Sequence, residues 1–434
     1  MVELGRSAGG SLGGHYQAFL DRKKRAHKPD GFQVETKSYP MFDFQHHTTQ
    51  WAGETGRACV FAGTGLGKTR IQVAWAEQAA RANDKPTLIL SPLAVAGQTI
   101  QEAAAMGVEV SRDRGSRIQI ANYERLHECT DDYGAIVLDE SSILKSYDGA
   151  TRKLITDRFS HTPHKLALSA TPAPNDYMEL GTHAEFMGAM TRLEMLATYF
   201  THDGGDTSKW RLKKHARRDF WKWVSTWAIC FNNPSDIGFD GSKYILPELH
   251  LHEHVLGMAS DGLGGLFGEQ LGTSATEIHS TQARTRSERI SKALEIESQS
   301  DSPIILWCST NEEQLELKRA LPGAVSVIGS DSPEFKEWAL LGFSKGEFKT
   351  LITKPSIAGF GMNWQHCNRM AFVTLSYSYE MLHQAIRRCY RFGQTRPVNV
   401  HLLYSEHDNA VRQSLEFKSQ AHLSMLDEMR AYAN

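Results

Sequence analysis

The feature that most constrains the fold is a glycine-rich segment at residues 62–69, which reads Ala-Gly-Thr-Gly-Leu-Gly-Lys-Thr. An apolar run at residues 57–61 precedes it, and a helical pattern follows from Thr69. Glycines let backbone N–H groups turn toward phosphate oxygens, and the positive end of the helix dipole adds to that attraction. The segment predicts a phosphate-binding loop of an α/β domain. The alternative, a glycine-rich turn that binds nothing, is disfavoured because pattern and context agree.

The polar residues of this loop have expected roles in binding a nucleoside triphosphate. The Lys68 ammonium would reach the β- and γ-phosphates, and the Thr69 hydroxyl would bind Mg²⁺. The residues expected to bind the nucleotide through the loop are Gly63, Thr64, Gly65, Leu66, Gly67, Lys68 and Thr69.

Two carboxylates follow the apolar run at residues 135–138. Ligands of open α/β sheets lie outside the carboxyl ends of the strands, so Asp139 and Glu140 are placed to act on a bound nucleotide. Asp139 would hold Mg²⁺, and Glu140 would orient and deprotonate the attacking water. A solvated strand end is the alternative, and the phosphate loop upstream disfavours it.

Two further segments supply candidate groups from the second half of the chain. Residues 384–394 show a helical pattern ending at Gly393, on which Arg388 and Arg391 share one face and suit a charged phosphoryl transition state. A basic solvated helix face is the alternative. Residues 353–365 follow an apolar run, and their glycines, including Gly361, allow close approach to a phosphate beside Asn363; an ordinary loop is the alternative there. Residues 169–172, taken by themselves, are more typical of a plain turn than of a functional segment.

Two stretches alternate short apolar runs with helical patterns, which is typical of parallel sheets in α/β lobes. In the first, the predicted strands are residues 57–61, 87–90, 118–121, 135–138 and 165–169. In the second, they are residues 304–308, 325–328, 350–353, 370–375 and 398–403. Residues 187–227 between the stretches show a helical pattern, residues 259–276 predict a Gly/Ser-rich linker, and residues 408–433 predict a long terminal helix.

The composition narrows the class of protein. The chain has 434 residues, enough for two domains, and a formal net charge of −2. No stretch reaches the roughly 18 to 20 apolar residues of a membrane span, and the N-terminus lacks the pattern of a secretory signal. The six cysteines include no C-x-x-C pair, which disfavours disulfides and cysteine-built zinc sites. These features favour a reducing cytoplasm. With a net charge so close to zero, any contact with nucleic acid would have to come from local basic surface, helix N-termini and backbone amides.

Residues 209–223 form the most basic and aromatic part of the chain. Phosphates attract such a surface, and aromatic rings could stack on bases. The candidate nucleic-acid contacts are Lys213, Lys214, Arg217 and Arg218. The alternative is an amphipathic helix with solvated charges and with Trp221 and Trp227 in the core, which we favour for the aromatic residues.

His250, His252 and His254 alternate along a predicted strand and face one side. Three imidazoles on one face could bind a metal, but no Cys or carboxylate pattern supports this. We therefore expect exposed histidines on an edge strand.

These segments occur in the order, and at roughly the spacing, of helicase superfamily two. Residues 384–394, QAIRRCYRFGQ, resemble the Q-A-x-x-R-x-x-R-x-G-Q signature of Swi/Snf-type ATPases. The runs TGLGKT and GFGMNWQ are also similar to this family, and PSDIGF at residues 234–239 resembles its compact bacterial and phage members. RNA helicases of the DEAD type carry D-E-A-D where this chain has Asp139-Glu140-Ser141-Ser142. The resemblance covers residues 42–404.

The resemblance implies an α/β fold of two RecA-like parallel-sheet lobes with ATP and Mg²⁺ in the cleft between them, plus a small helical insertion. It places the family's catalytic roles on Lys68, Thr69, Asp139, Glu140, Gln384, Arg388 and Arg391. The family also carries a glutamine upstream of the phosphate loop that reads adenine; Gln45 matches it best, and Gln50 is the competing candidate. Many members have an acidic residue where Ala62 stands, but Ala suits the general phosphate-loop pattern.

We therefore divide the chain into a loose leader (residues 1–35), an ATP-binding lobe (36–186), a helical insertion and linker (187–247) and a second lobe with a terminal helix (248–434). The expected function is an ATP-driven motor on double-stranded DNA. The alternatives are an RNA helicase and an ATP-gated DNA clamp or recruitment factor that does not translocate. A protein of replication, repair or recombination is a candidate partner, and the cytoplasm of a bacterial or phage-infected cell is the expected location.

Overall fold

The computed structural model describes residues 31–92, 95–130, 132–145, 149–173, 176–203, 206–256, 285–358, 362–405 and 408–432. Two six-stranded parallel sheets form the centres of two RecA-like lobes. Most of the predicted leader, the predicted linker at residues 259–276 and Gly361 lie outside the described residues.

The first sheet carries the strand that leads into the phosphate loop. Its strands are β1 (Arg57–Ala62), β2 (Thr87–Ser91), β3 (Ile118–Asn122), β4 (Ala135–Asp139), β5 (His164–Ser169) and β8 (Ala228–Phe231). Their order is β3-β2-β4-β5-β1-β8, and all pairings are parallel. The five strands predicted in this stretch are confirmed. They are almost entirely buried, which explains their apolar sequences.

Helices surround this sheet and position its loops. They are α1 (Asp43–Thr55), α2 (Lys68–Asn83), α3 (Ala96–Ala105), α4 (Ala150–Arg158) and α5 (Leu180–Met187). Helix α2 begins at the last glycine of the phosphate loop and buries Ile71, Val73 and Trp75 against the sheet.

Strand β8 lies within the segment predicted as a helical insertion, but it belongs to the first sheet. It pairs with β1 from Cys59↔Ala228 to Ala62↔Phe231. An uncovered β1 would present an edge of unpaired backbone groups, and the buried run of β8 covers that edge. The sheet of the first lobe therefore extends past residue 186, where the sequence predicts the boundary.

The prediction of a helical pattern throughout residues 187–227 is wrong in part. Two helices are present, α6 (Arg192–Tyr199) and α7 (Arg217–Val224). Between them, β6 (Phe200–Asp203) and β7 (Asp206–Leu212) pair antiparallel. The dipeptide Gly204-Gly205 joins the two strand sequences, and two glycines between β-forming runs are a hairpin signal.

The second sheet has the same number of strands and is also parallel. Its strands are β9 (Leu249–Leu256), β10 (Ile304–Trp307), β11 (Val325–Ser326), β12 (Thr350–Thr353), β13 (Arg369–Phe372) and β14 (Val398–Ser405). The order is β11-β12-β10-β13-β14-β9. All five strands predicted in this stretch are present, although β11 is shorter than residues 325–328 and β13 ends before residue 375.

Helices of the second lobe connect these strands. They are α8 (Arg286–Ser298), α9 (Asn311–Ala320), α10 (Pro333–Ser344), α11 (Pro355–Ala358) and α12 (Tyr379–Ile386). None of the described helices combines the length and the apolar character that crossing a membrane requires.

The predicted terminal helix is α13 (Asn409–Tyr432), and it joins the cores of both lobes. Near its start, Val411 and Leu415 belong to an apolar cluster of the second lobe. Near its end, Met425 and Met429 belong to a cluster of the first. The helix therefore crosses from one lobe to the other.

Candidate active site

The phosphate loop requires glycine at two positions with left-handed backbone. Gly65 has φ +90° and Gly67 has φ +76°. A Cβ at Gly67 would lie 2.1 Å from Gln45 Nε2, and one at Gly65 would lie 2.8 Å from the Phe392 backbone nitrogen of the second lobe. The loop thus packs between α1 and the second lobe, where a side chain at either glycine would clash.

Lys68 is held at the base of the loop by backbone carbonyls. Its Nζ donates to the carbonyl oxygens of Ala62 at 2.7 Å and Gly63 at 3.3 Å. Burial lowers the pKa of Lys68 to about 8, against the opposing charges of Glu140 and Asp139. The ammonium therefore remains mostly charged at pH 7, beside the backbone N–H groups of the loop.

Asp139 ends β4 and is fixed by neighbours in its own lobe. Gln72 Nε2 donates to Asp139 Oδ2 at 3.0 Å, and Tyr123 Oη donates to the Asp139 carbonyl at 2.9 Å. Burial raises the pKa of Asp139 to about 6, and the charge of Glu140 adds to the rise, whereas Gln72 and Lys68 oppose it. A nearby cation would favour the ionised form of this carboxyl group.

Glu140 has a left-handed backbone, with φ 60°. Such strain costs about 1 to 3 kcal/mol in a residue other than glycine, and it often occurs at functional sites. The Ser169 hydroxyl donates to Glu140 Oε1 at 2.8 Å. The last residue of β5, in a segment for which the sequence alone favours no role, therefore orients this carboxylate.

The helix that precedes the two arginines is shorter than predicted. Helix α12 ends at Ile386, and Arg388 lies in the turns that follow. The Arg388 carbonyl accepts a hydrogen bond from the Trp364 N–H at 2.9 Å, and Gln394 Nε2 donates to the Cys389 carbonyl at 3.3 Å. These carbonyls accept hydrogen bonds from groups other than the backbone N–H four residues later, which a continuous helix would require. The prediction of one helix reaching residue 393 is therefore wrong.

Arg388 and Arg391 nevertheless converge. Their Nη1 atoms lie 3.2 Å and 3.5 Å from the Met362 carbonyl oxygen. Burial lowers the pKa of Arg388 to about 9 and that of Arg391 to about 10. Both guanidinium groups therefore stay charged at neutral pH and lie within one region of the second lobe.

A cavity of about 390 Å³ lies between the lobes. It is lined by these predicted site residues: Gln45, Thr64, Gly65, Gly67, Lys68, Thr69, Asp139, Glu140, Asn363, Gln384, Arg388 and Arg391. Two predicted residues of the loop lie elsewhere: Gly63 packs against Asn232, and the Leu66 side chain is buried in the core. Gly361 lies outside the described residues.

A hydrogen-bonded connection beside the cavity links the second lobe to the first. Gln384 Nε2 donates to Thr171 Oγ1 at 3.4 Å, and the Thr171 N–H donates to Ser169 Oγ at 3.0 Å. Because Ser169 also contacts Glu140, the second lobe is linked to the carboxylate predicted to act on water.

The two candidate glutamines occupy different environments. Gln45 is buried, and its side chain donates to the Leu66 carbonyl at 3.0 Å and accepts from the Phe42 N–H at 3.0 Å. Gln50 is exposed and does not line the cavity. Gln45 is thus the glutamine placed beside the phosphate loop.

Aromatic side chains at the rim of the cavity were missed by the sequence reasoning. Tyr244 stacks on Phe392 of the second lobe with ring centroids 4.5 Å apart, and it meets the edges of Phe42 and Phe44. A purine could stack on such a surface. Tyr244 lies in a loop with several turn residues, where nothing in the local pattern indicates a ligand contact.

The residues of the cavity fit a nucleoside triphosphate with Mg²⁺. Within the described part of the chain, the side-chain atoms Gln384 Oε1, Asn363 Oδ1 and Arg391 Nε are buried without a hydrogen-bond partner. Buried polar atoms in proteins nearly always have a hydrogen-bond partner, so these atoms indicate that a ligand or water binds beside them. The cations of the site suit phosphates, and the Thr69 hydroxyl with the Asp139 carboxylate supplies the oxygen ligands that Mg²⁺ prefers.

Only some of the predicted nucleic-acid contacts are available to bind a partner. Lys213 Nζ donates to the carbonyls of Ala197 and Thr198, each at 3.0 Å, and so caps α6. The Arg217 guanidinium forms an ion pair with Glu428 of α13. These two of the four candidate contacts therefore have partners within the protein, and the prediction of nucleic-acid contact is better supported for the other two.

Lys214 and Arg218 are exposed on the same segment. Trp221, Trp223 and Trp227 are buried in the core, and Trp221 Nε1 also donates to Glu428. The expectation that Trp221 and Trp227 belong to the core is confirmed.

A larger cavity of about 1040 Å³ borders the first along the cleft. Both cavities share the lining residues Pro92, Gln98, Glu102, Glu140 and Asn363. The basic lining residues are Arg112, Lys145 and Lys336, and the acidic ones include Glu124, Glu337 and Glu380. Its walls come from both lobes, so its width depends on how the lobes are arranged.

The predicted histidine strand is the edge strand β9. His252 Nε2 lies 2.8 Å from Asn399 Oδ1, and His254 Nε2 lies 3.0 Å from His401 Nδ1 on β14. Among the described residues, no group of three or more His, Cys, Asp or Glu side chains could hold a metal ion. The histidines thus pair across the strands.

Comparison with known families supports the class of the second lobe. Residues 285–393 match the family model described as helicase conserved C-terminal domain. The match covers β10 to β13 and α12, together with Gln384, Arg388 and Arg391. It indicates a helicase-type nucleic-acid motor with nucleotide hydrolase activity. No significant match was found among curated proteins.

Proposed function

We propose that the chain is an ATP-hydrolysing motor that moves along duplex DNA. The observation that carries the proposal is that predicted catalytic side chains of both lobes line one cavity, and that Gln384 of the second lobe is hydrogen-bonded to Thr171 of the first. Hydrolysis in such a site requires both lobes, so each ATP cycle changes the relation between them. The helicase C-terminal match is consistent with this coupling.

The first lobe binds the phosphates. Lys68 and the loop N–H groups surround the β- and γ-phosphates, and release of the ammonium from the Ala62 and Gly63 carbonyls frees its donors for them. Thr69 and Asp139 would hold Mg²⁺, which neutralises phosphate charge when bound. Gln72 keeps the Asp139 carboxylate oriented.

The second lobe completes the hydrolytic site. On the first-lobe side, Glu140 is oriented by Ser169 and accepts a proton from the attacking water. Arg388 and Arg391 place positive charge where negative charge develops on the transferred phosphoryl group. Gln384 holds the second lobe against the turn that orients Glu140. Opening of the cleft removes the arginines and stops hydrolysis.

The base end of the nucleotide lies against Gln45 and the aromatic rim. Gln45 retains one N–H and one oxygen lone pair after its two observed bonds, which is sufficient to bind an adenine edge. Tyr244 provides a flat apolar surface that a base can stack on.

The larger cavity is the proposed path for the nucleic-acid backbone. It borders Glu140 and has walls from both lobes, so changes in the lobe arrangement act on its contents directly. Arg112 and Lys336 are positioned to contact phosphates. Lys214 and Arg218, exposed elsewhere on the first lobe, are additional candidate contacts. Contacts of this kind follow a backbone without reading sequence.

Movement on duplex DNA is favoured over strand separation by the Q-A-x-x-R-x-x-R-x-G-Q signature at residues 384–394, which resembles Swi/Snf-type motors. The test is a triplex-displacement assay beside a forked-duplex unwinding assay, at matched ATP and salt. We expect triplex displacement with little unwinding. Unwinding without triplex displacement would favour a true helicase, and ATP hydrolysis with neither would favour an ATP-gated clamp.

A further inference from the structure

An ion pair joins the two lobes beside the candidate active site. Lys145 belongs to the short helix Ser141–Lys145, which follows the Asp139-Glu140 pair directly. Glu380 belongs to α12, the helix that carries Gln384 and leads into the two arginines. The pair therefore connects the element after the carboxylates with the element before the arginines.

The two partners differ in their exposure to solvent. The Glu380 side chain is only 5% exposed, whereas that of Lys145 is 35% exposed. Within the described residues, Glu380 Oε1 has no hydrogen-bond partner, so Lys145 is the charged group that compensates this carboxylate. Burial lowers the pKa of Lys145 and the charge of Lys418 adds to this, whereas the charges of Glu179 and Glu140 oppose it.

We propose that Lys145 and Glu380 are a positioning pair that aligns the arginines of the second lobe on Glu140 when the cleft closes. Both residues also line the larger cavity, next to the proposed nucleic-acid path. The pair therefore couples the contents of that cavity to the geometry of hydrolysis. This inference rests on the proposed function, because it assigns the pair a role in the same ATPase cycle.

The difference in burial predicts unequal effects of the two single substitutions. Lys145→Met leaves a buried carboxylate without a counter-charge, and this state opposes closure of the lobes. Glu380→Gln leaves an ammonium that water can solvate and a neutral amide of similar shape. Lys145→Met is therefore the more damaging change, and Glu380→Gln added to it removes the uncompensated charge.

The test measures ATPase kinetics and lobe closure for Lys145→Met, Glu380→Gln and the double variant. Lobe closure is followed by energy transfer between dyes on cysteines introduced at the exposed positions Glu109 and Lys345, with and without a non-hydrolysable ATP analogue. Lys153→Met, an exposed lysine of the first lobe, is the matched control.

We expect Lys145→Met to lower kcat by about 10- to 100-fold and to reduce the closed fraction, with little change in ATP affinity. The double variant should recover most of both quantities, and the control should match the parent. If Lys145→Met does not fold, Glu380→Gln and the double variant still test the pair, since both should then show the same small reduction in the closed fraction relative to the parent.

Equal closure and kcat in all variants would overturn the positioning role, as would a double variant whose loss equals the combined losses of the single variants. Failure of the proposed function is distinguishable from these results. A parent protein that closes on the ATP analogue through this pair but does not hydrolyse ATP would contradict the ATPase assignment alone.

Discussion

The two halves of the candidate active site are held in different ways. In the first lobe, Lys68, Asp139 and Glu140 each have hydrogen-bond partners from that lobe. In the second lobe, Gln384 and Arg391 have buried polar atoms without partners among the described residues. The lysine and the two carboxylates of the first half are fixed within their lobe. In the second half both arginines contact the Met362 carbonyl, but Gln384 and Arg391 keep polar atoms that a ligand could bind.

This difference separates binding from hydrolysis. In the proposed function, the groups fixed in the first lobe hold a nucleotide with the cleft open. The arginines of the second lobe would act only when the cleft closes, so their contribution would belong to the transition state. Changes in the first lobe should therefore affect affinity or proton transfer, and changes in the second should affect hydrolysis with less effect on affinity.

The largest effect is expected at the arginines. Arg388→Ala or Arg391→Ala should lower the hydrolysis rate by roughly 10³- to 10⁵-fold, the range for an arginine that stabilises a phosphoryl transition state. Lys replacements should restore little, because an ammonium lacks the planar fork. ATP affinity, measured by titration calorimetry, should change moderately, whereas Lys68→Ala should abolish it. If either alanine variant kept most of the ATPase activity, the assignment of the second lobe to hydrolysis would be contradicted.

The next effect concerns proton transfer at Glu140. Glu140→Gln should bind ATP but hydrolyse it about 10²- to 10⁴-fold more slowly, because an amide cannot accept the proton of the water. Single-turnover kinetics with labelled ATP measures this, with Glu54→Gln at an exposed position as the control. Hydrolysis at the parent rate would remove Glu140 from the mechanism.

A third prediction tests the internal scaffold of the first lobe through its pH dependence. His183 lies beneath the acidic turn, with Nε2 3.1 Å from Ser141 Oγ, and burial lowers its pKa to about 4. In the unfolded chain the His183 imidazole takes up a proton near pH 6.5, whereas in the folded lobe it stays neutral until about pH 4. The free energy of unfolding therefore decreases as the pH falls from about 6.5 to 4. The contribution at pH 4.5 is about 2 to 3 kcal/mol.

Urea unfolding at pH 7 and pH 4.5 measures this loss. His183→Gln should be less stable than the parent at pH 7 but lose less stability on acidification. An unchanged pH dependence in the variant would assign the acid sensitivity to other groups.

The smallest effect concerns the exposed cations of α7. Arg218→Glu should weaken DNA binding several-fold and reduce the salt slope by about 1 to 2, while basal ATPase stays at the parent rate. Arg217→Glu should instead lower thermal stability, because it places a second carboxylate beside Glu428 of α13. Fluorescence anisotropy at several salt concentrations, with melting curves, separates these outcomes. Identical behaviour of the two variants would refute the distinction between a surface cation and an interlobe contact.

The sequence predicted the parallel-sheet lobes well because each buried strand is a short apolar run. It also placed the phosphate loop at the carboxyl end of β1, since glycine spacing and helix start are both local signals. Strand β8 was missed because its membership of the first sheet depends on pairing with β1, far away in the chain. The hairpin β6–β7 was missed although Gly204-Gly205 signals it.

The candidate site was predictable where a motif names the residue type. Gln384, Arg388 and Arg391 are examples, although the helical path assigned to the arginines was wrong. Partners such as Gln72 for Asp139, or Lys145 for Glu380, were not predictable, because nothing near them in sequence indicates which side chain lies opposite. The basic segment shows the converse: local charge suggested a DNA surface, but Arg217 is engaged by Glu428 from the end of the chain.

We propose that the two lobes form one ATPase whose cycle is stimulated by nucleic acid. The most direct test is the steady-state ATPase rate of the parent protein with double-stranded DNA, single-stranded DNA, RNA or no nucleic acid, with Arg388→Ala as the blank. We expect the largest stimulation by double-stranded DNA and no stimulation in the Arg388→Ala variant. A rate that no nucleic acid changes, or an equal rate in the blank, would contradict it.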